Sequence, residues 1–122
     1  MATTEAEQII IRFVAAWERA DVDELLDYFT EDAVWHPMPM EPAIGKPALR
    51  EAISLWLGEA AQLGGEIHMQ LSDGKTVMHE RTDRYLLGTR EMITPVSAVF
   101  EIENGRITAW REYFDMSPII RP

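Results

Sequence analysis

The chain has 122 residues, a length that suggests one domain over 1–122 and allows a buried core without covalent staples. With no cysteine it has no disulfide framework, zinc–thiolate site or thiol nucleophile, and a formal net charge of −10 repels nucleic acid and anionic lipid. The three histidines, His36, His68 and His79, show no tight ligand spacing, so a zinc site is not expected.

The N-terminal stretch MATTEAEQ is acidic and lacks a basic region, so no signal peptide is expected. No apolar run approaches the roughly 18–20 residues of a membrane helix, and these features fit a cytoplasmic protein. Thr3 or Thr4 starts a first helix, with Glu7 three residues after Thr4 as in a capping box. Ile9, Ile10, Phe13, Val14 and Trp17 then recur at helical spacing. Asp21 caps a short second helix whose apolar face is Val22, Leu25, Leu26 and Phe29. A short strand follows over 33–36. The three prolines of PMPMEPAIG (37–45) make that stretch a loop. Pro47 suits the first turn of a third helix with a buried stripe of Leu49, Ala52, Ile53, Trp56, Leu57 and Ala60, ended by Gly64 and Gly65.

Beyond that point the period changes to two. Strands are predicted at about 66–72, 76–87, 91–102 and 106–115. Asp73-Gly74 and Asn104-Gly105 read as tight turns, the second as a hairpin signal between two alternating runs. Segregated helices followed by a meandering antiparallel sheet make an α+β domain. A twisted sheet with helices on one face leaves a cavity at its open end.

The strand over 77–86 is unusual in carrying HERTDR. Val77, His79, Arg81, Asp83 and Tyr85 share one face, while Met78, Glu80, Thr82, Arg84 and Leu86 share the other. Neither face is cleanly apolar, so alternation alone leaves open which is inside. In ITAWREYFD, Thr108, Trp110, Glu112 and Phe114 share a face, which sets Glu112 between two aromatic rings. Facing inward, that carboxylate is desolvated and its pKa rises, as a general base at neutral pH requires. The plain alternative is a pair of solvated charges at Arg111 and Glu112 and an ordinary ion pair between Arg81 and Asp83.

The segments ERTD (80–83) and VFEIENGRITAWREYFD (99–115), with DELLDYFTEDAVW (23–35) and the loop MPMEPAIGK (38–46), resemble the limonene-1,2-epoxide hydrolase family. That family lies within the nuclear transport factor 2-like superfamily, beside ketosteroid isomerases and SnoaL-type cyclases. The resemblance implies a cone-shaped fold, a strongly curved mixed sheet with three to four helices around a deep pocket. It further implies a one-step, cofactor-independent hydrolysis of a small apolar epoxide to a vicinal diol. Asp83 matches the acid that protonates the epoxide oxygen, Glu112 the base that activates water, and Arg81 the bridge between them. The family normally has aspartate where Glu112 stands, and Trp35 and Pro37 stand where it holds its water with tyrosine and asparagine. Trp35, His36, Met38, Trp110 and Phe114 are the pocket candidates. His36 reaches the pocket only if a bulge precedes Pro37, because regular alternation turns it away from Trp35. Two other readings stand beside the hydrolase: an isomerase or cyclase of the same superfamily, and a non-catalytic small-molecule-binding module. A homodimer is expected, since related families are mostly dimers and the apolar tail SPIIRP (117–122) suits a partner subunit.

Overall fold

A computed structural model describes residues 4–120. Thr3, offered as a cap, and Arg121 and Pro122 of the apolar tail lie outside the described residues. Helix α1 (Glu5–Ala16) begins as its sequence predicts: the Thr4 side chain accepts from the Glu7 backbone N–H, and the Glu7 carboxylate accepts in return from the Thr4 N–H. A 3₁₀ turn (Trp17–Arg19) leads to helix α2 (Val22–Leu26), capped by Asp21, which accepts from the N–H groups of Asp23 and Glu24. Then come strand β1 (Phe29–Met38), the two-residue strand β2 (Ala43–Ile44) and helix α3 (Lys46–Glu59). The second half is strands β3 (Ala60–Ser72), β4 (Thr76–Leu87), β5 (Arg90–Glu103) and β6 (Arg106–Tyr113), closed by the short helix α4 (Ser117–Ile120).

The six strands form one curved sheet in the order β2-β1-β6-β5-β4-β3. All neighbours are antiparallel except β1 and β6, which run parallel and make the sheet mixed. The hairpin at Asn104-Gly105 forms as expected: both residues have positive φ, 51° and 78°, as a two-residue type I′ turn requires. Helices α1 and α3 cover one face. Phe13 of α1 is fully buried and meets Trp17, Phe29, Phe100 and Trp110 edge-on at 5.0–6.0 Å. Emptying such a site by Phe→Ala costs about 3–5 kcal/mol, so this ring cluster is a main tie between the helices and the sheet.

Three features differ from the sequence reading, the first being the loop predicted over 37–45, of which Pro37 and Met38 belong to β1 and Ala43–Ile44 form the edge strand β2. Strand β1 is longer than 33–36, because a register shift between Phe29 and Val34 lets the exposed Glu31 and Asp32 pass through the strand without disturbing its inner face. Helix α3 stops at Glu59, ahead of Gly64-Gly65. Those glycines lie inside β3 beside a bulge between Ala61 and Gly64, where Gln62 adopts φ 52°.

Candidate active site

The site is built where β4, β5 and β6 lie side by side under α1. On β4 the inward residues are Val77, His79, Arg81 and Tyr85, all buried, with Asp83 partly open to the cavity. On β6 they are Trp110 and Glu112. β5 separates the two strands, and its Ala98 pairs with both His79 and Glu112. A side chain this small leaves room for the long Arg81 to pass over β5. Neighbouring strands are about 4.8 Å apart, so the arginine spans a gap of about 10 Å.

Arg81 joins three partners. Its Nε and Nη2 donate to Asp83 Oδ1 and Oδ2 at 2.8 and 3.1 Å, a bidentate pair. Nη2 also donates to Glu112 Oε2. Nη1 lies 3.0 Å from Nε2 of His79. Since a guanidinium only donates, His79 Nε2 is the acceptor and its Nδ1 carries the proton, which it gives to Gln70 Oε1 at 3.0 Å. Gln70 in turn donates to the Glu7 carbonyl of α1 at 3.3 Å. Burial, and then the Arg81 charge, push the His79 pKa down from 6.5 to about 3, which keeps this neutral tautomer in place at neutral pH.

Glu112 is buried, and its second oxygen, Oε1, accepts from the Trp35 indole N–H at 3.2 Å. Burial raises its pKa above the ordinary 4.5; Arg81 opposes the rise and the nearby Asp83 charge adds to it. Arg81 itself stays charged: burial works against the charge, and Glu112 and Asp83 outweigh it. The Trp35 and Trp110 rings stack 4.8 Å apart with planes 9° from parallel, a consequence of their direct pairing across β1 and β6.

The polar set lies in the wall of a cavity of about 350 Å³, whose remaining lining includes Trp17, Trp35, Pro37, Trp56, Leu63 and Phe114. Of the candidates from sequence, Arg81, Asp83, Glu112, Trp35, Trp110 and Phe114 meet there. His36 and Met38 do not. The β1 bulge falls before Val34, so alternation is regular from Val34 to Met38, and both side chains turn to the outer face beside Arg111 and Tyr113. Met40, beyond the strand, does reach the rim.

Three contributors were missed. His79 was visible only through its place on the Arg81 face, and Gln70 had no signal of its own. Gly65 pairs with Asp83, and a Cβ there would stand 2.8 Å from Val14 Cγ1 and 3.2 Å from Asp83 Oδ1. The bare backbone makes room for the carboxylate under α1.

The limonene-1,2-epoxide hydrolase catalytic domain model matches residues 4–122. Epoxide hydrolase EphG of Mycobacterium tuberculosis (strain ATCC 25618 / H37Rv) is 45% identical over 51 residues, 42% of this chain and 34% of that protein, so the match spans about a third of the relative. Among solved structures, an LEH-like epoxide hydrolase of M. tuberculosis superposes with a TM-score of 0.83 at 28% identity, covering 96% of this chain and 87% of the other. An NTF2-like protein of unknown function from Burkholderia pseudomallei K96243 reaches 0.87 at 18% identity, covering 98% and 97%, which places the fold among the NTF2-like proteins. With the family model spanning all but its first three residues, the chain belongs to the limonene-1,2-epoxide hydrolase catalytic domain family.

Proposed function

We propose that this protein adds water to an apolar epoxide in one step to give a vicinal diol, with Asp83 as acid, Glu112 as base and Arg81 as the bridge. The observation that carries this reading is the single guanidinium joining two carboxylates in the wall of an apolar cavity. An epoxide carbon is a weak electrophile and its alkoxide a poor leaving group. Acid at the oxygen and base at the water, acting together, avoid both free hydroxide and free alkoxide. Asp83 gives its proton to the ring oxygen as the C–O bond breaks. Water attacks the carbon and passes a proton to Glu112. The cycle ends with Glu112 protonated and Asp83 ionised, so one proton must return before the next turnover. Arg81 beside both groups favours the state in which one carboxyl of the pair is ionised.

Single turnover in heavy-oxygen water tests the mechanism. The label is expected in the diol at the first turnover; its absence there would mean that a carboxylate attacked the epoxide. No diol from a panel of cyclic and terminal epoxides would overturn the hydrolase reading.

One observation favours a second reading, an isomerase or cyclase. Trp35 only donates and already serves Glu112, and Pro37 has no polar side chain, so neither supplies an acceptor for the attacking water. With His36 on the outer face, that side chain does not supply the acceptor either. Proton exchange next to the carbonyl of a cyclic ketone, without epoxide opening, identifies the alternative.

A homodimer fits the outer face of the sheet, where Leu71 lies opposite Met78 across β3 and β4, each more than half exposed. The tail gives that reading less support, since Ile119 packs on Tyr85, Met92 and Ala60 of its own chain. A monomer by light scattering at micromolar concentration counts against it. No helix among the described residues is long and apolar enough to cross a membrane. We further propose a cytoplasmic setting, with which the lack of cysteine is compatible.

A further inference from the structure

Next to the acid lies a second polar station that the hydrolysis does not use. Tyr85 and Thr94 are 6% and 7% exposed, both line the cavity, and their hydroxyls are 2.8 Å apart. Thr94 pairs directly with Asp83 across β4 and β5, and Tyr85 follows Asp83 by two residues on the same face. At about 3.4 Å per residue, Tyr85 stands about 7 Å along the wall from the acid. Trp56 of α3 meets its ring edge-on at 5.2 Å and fixes it from the other side.

The hydroxyl count is decisive. Each group has one O–H to give. One is spent between them, and among the described residues neither oxygen has another partner. One O–H and several lone pairs are therefore left over in a cavity whose lining, apart from this pair and charged groups such as Arg81, Asp83 and Glu112, is mostly apolar. Burial pushes the Tyr85 pKa up, so the phenol keeps its proton. A hydrocarbon filling this space leaves the spare O–H unpaired, which costs more than a normal hydrogen bond contributes. An oxygen at the same place pairs it.

We infer that the Tyr85–Thr94 hydroxyl pair is a substrate-binding station, and that the substrate is an epoxide with a second oxygen, a hydroxyl or carbonyl group, a few bonds from the ring. This rests on the epoxide reading for the reacting group but not for the station itself. The rest of the cavity wall still selects an apolar body, so the substrate is an oxygenated rather than a plain hydrocarbon epoxide.

Matched pairs that exchange hydroxyl for methyl test this. The unreactive pair is cyclohexanol and methylcyclohexane, with affinity read from the fluorescence of the cavity tryptophans. The reactive pair is 3,4-epoxycyclohexanol and 4-methylcyclohexene oxide, read as kcat/KM. For both, each single variant, Tyr85→Phe or Thr94→Val, keeps one free O–H, whereas the double variant Tyr85→Phe/Thr94→Val keeps none and is expected to lower the hydroxyl-to-methyl preference by about threefold to tenfold, the worth of one hydrogen bond. The methyl compounds should bind the double variant at least as well as the wild type, which also shows that it folds. An unchanged preference in the double variant overturns the inference. If neither epoxide is hydrolysed but the cyclohexanol preference falls, the station stands and the hydrolase reading fails alone.

Discussion

Arg111 and Glu112 are neighbours on β6, yet they enter two ion pairs on opposite faces of the sheet. Arg111 reaches Glu101 at 2.7 Å on the outer face, where the side chains are 34% and 49% exposed. Glu112 meets Arg81 on the inner face, where they are 8% and 6% exposed. The partners are of the same types and the strand is the same; what differs is the water. Outside, solvent screens the pair and it holds little more than its own geometry. Inside, burial raises the Glu112 pKa, and the same arginine must also serve Asp83 and His79. One strand thus carries an exposed charge pair and a buried one, separated only by the pleat.

Breaking the inner pair at its hub has the largest expected effect. Arg81→Leu leaves Glu112 buried beside an uncompensated Asp83 and should cost about 3–5 kcal/mol in denaturant unfolding at neutral pH. The loss should shrink on acidification as Glu112 protonates; a loss independent of pH would mean that the arginine acts through packing alone. Next come the carboxylates. On the proposed mechanism, in which both act in one transition state, Asp83→Asn and Glu112→Gln should each lower kcat/KM at least about a hundredfold, and the double variant little more than either. Independent, multiplying losses would separate their roles.

The pH response sharpens the comparison, because the inner face holds two groups of opposite sign. Glu112 has a folded pKa above 4.5, so its contribution to stability is full below 4.5 and is lost as pH rises through the folded value. His79 has a folded pKa of about 3 against 6.5, so its contribution is present above 6.5 and is lost as pH falls towards 3. Melting temperatures should therefore diverge. The wild type loses ground to Glu112→Gln as pH climbs from 4.5, and to His79→Gln as pH drops from 6.5. Parallel curves would deny the burial of both charges. The smallest effect belongs to the outer pair: Arg111→Ala should change stability by about 1 kcal/mol or less, and less still in high salt. A cost as large as that of Arg81→Leu would erase the distinction between the faces.

Much of this was legible along the chain, and what was missed has physical reasons. Local chemistry spoke clearly: the Thr4–Glu7 box, the Asp21 cap and the Asn104-Gly105 turn depend only on residues close in sequence. Alternation placed Glu112 between Trp110 and Phe114 on one face, and the structure sets all three at the cavity. It left the charged strand undecided, because a face bearing His79, Arg81 and Asp83 looks solvated until its partners on β3 and β6 are known. The double glycine read as a helix stop because the purpose of Gly65, room for Asp83 beneath Val14, lies in another strand and a helix. His36 was tied to a bulge before Pro37, whereas the irregularity lies upstream of Val34, where no glycine or proline announces it.

The parallel pairing of β1 with β6 also governs when the site comes into being. β3 to β6 form a meander of near neighbours, but the Trp35–Glu112 contact spans 77 positions of the chain. Closing so long a loop is slow compared with zipping hairpins, so the last strand to find β1 sets the pace of folding. Until it docks, β6 presents an open edge and the ring of Trp110 lacks its Trp35 partner, a stage at which the nascent protein is most exposed to aggregation. The stacked Trp35–Trp110 pair then marks completion. Two indoles held nearly parallel couple their transitions, so the growth of a near-ultraviolet dichroic signal during refolding would time the moment at which Glu112 meets Trp35.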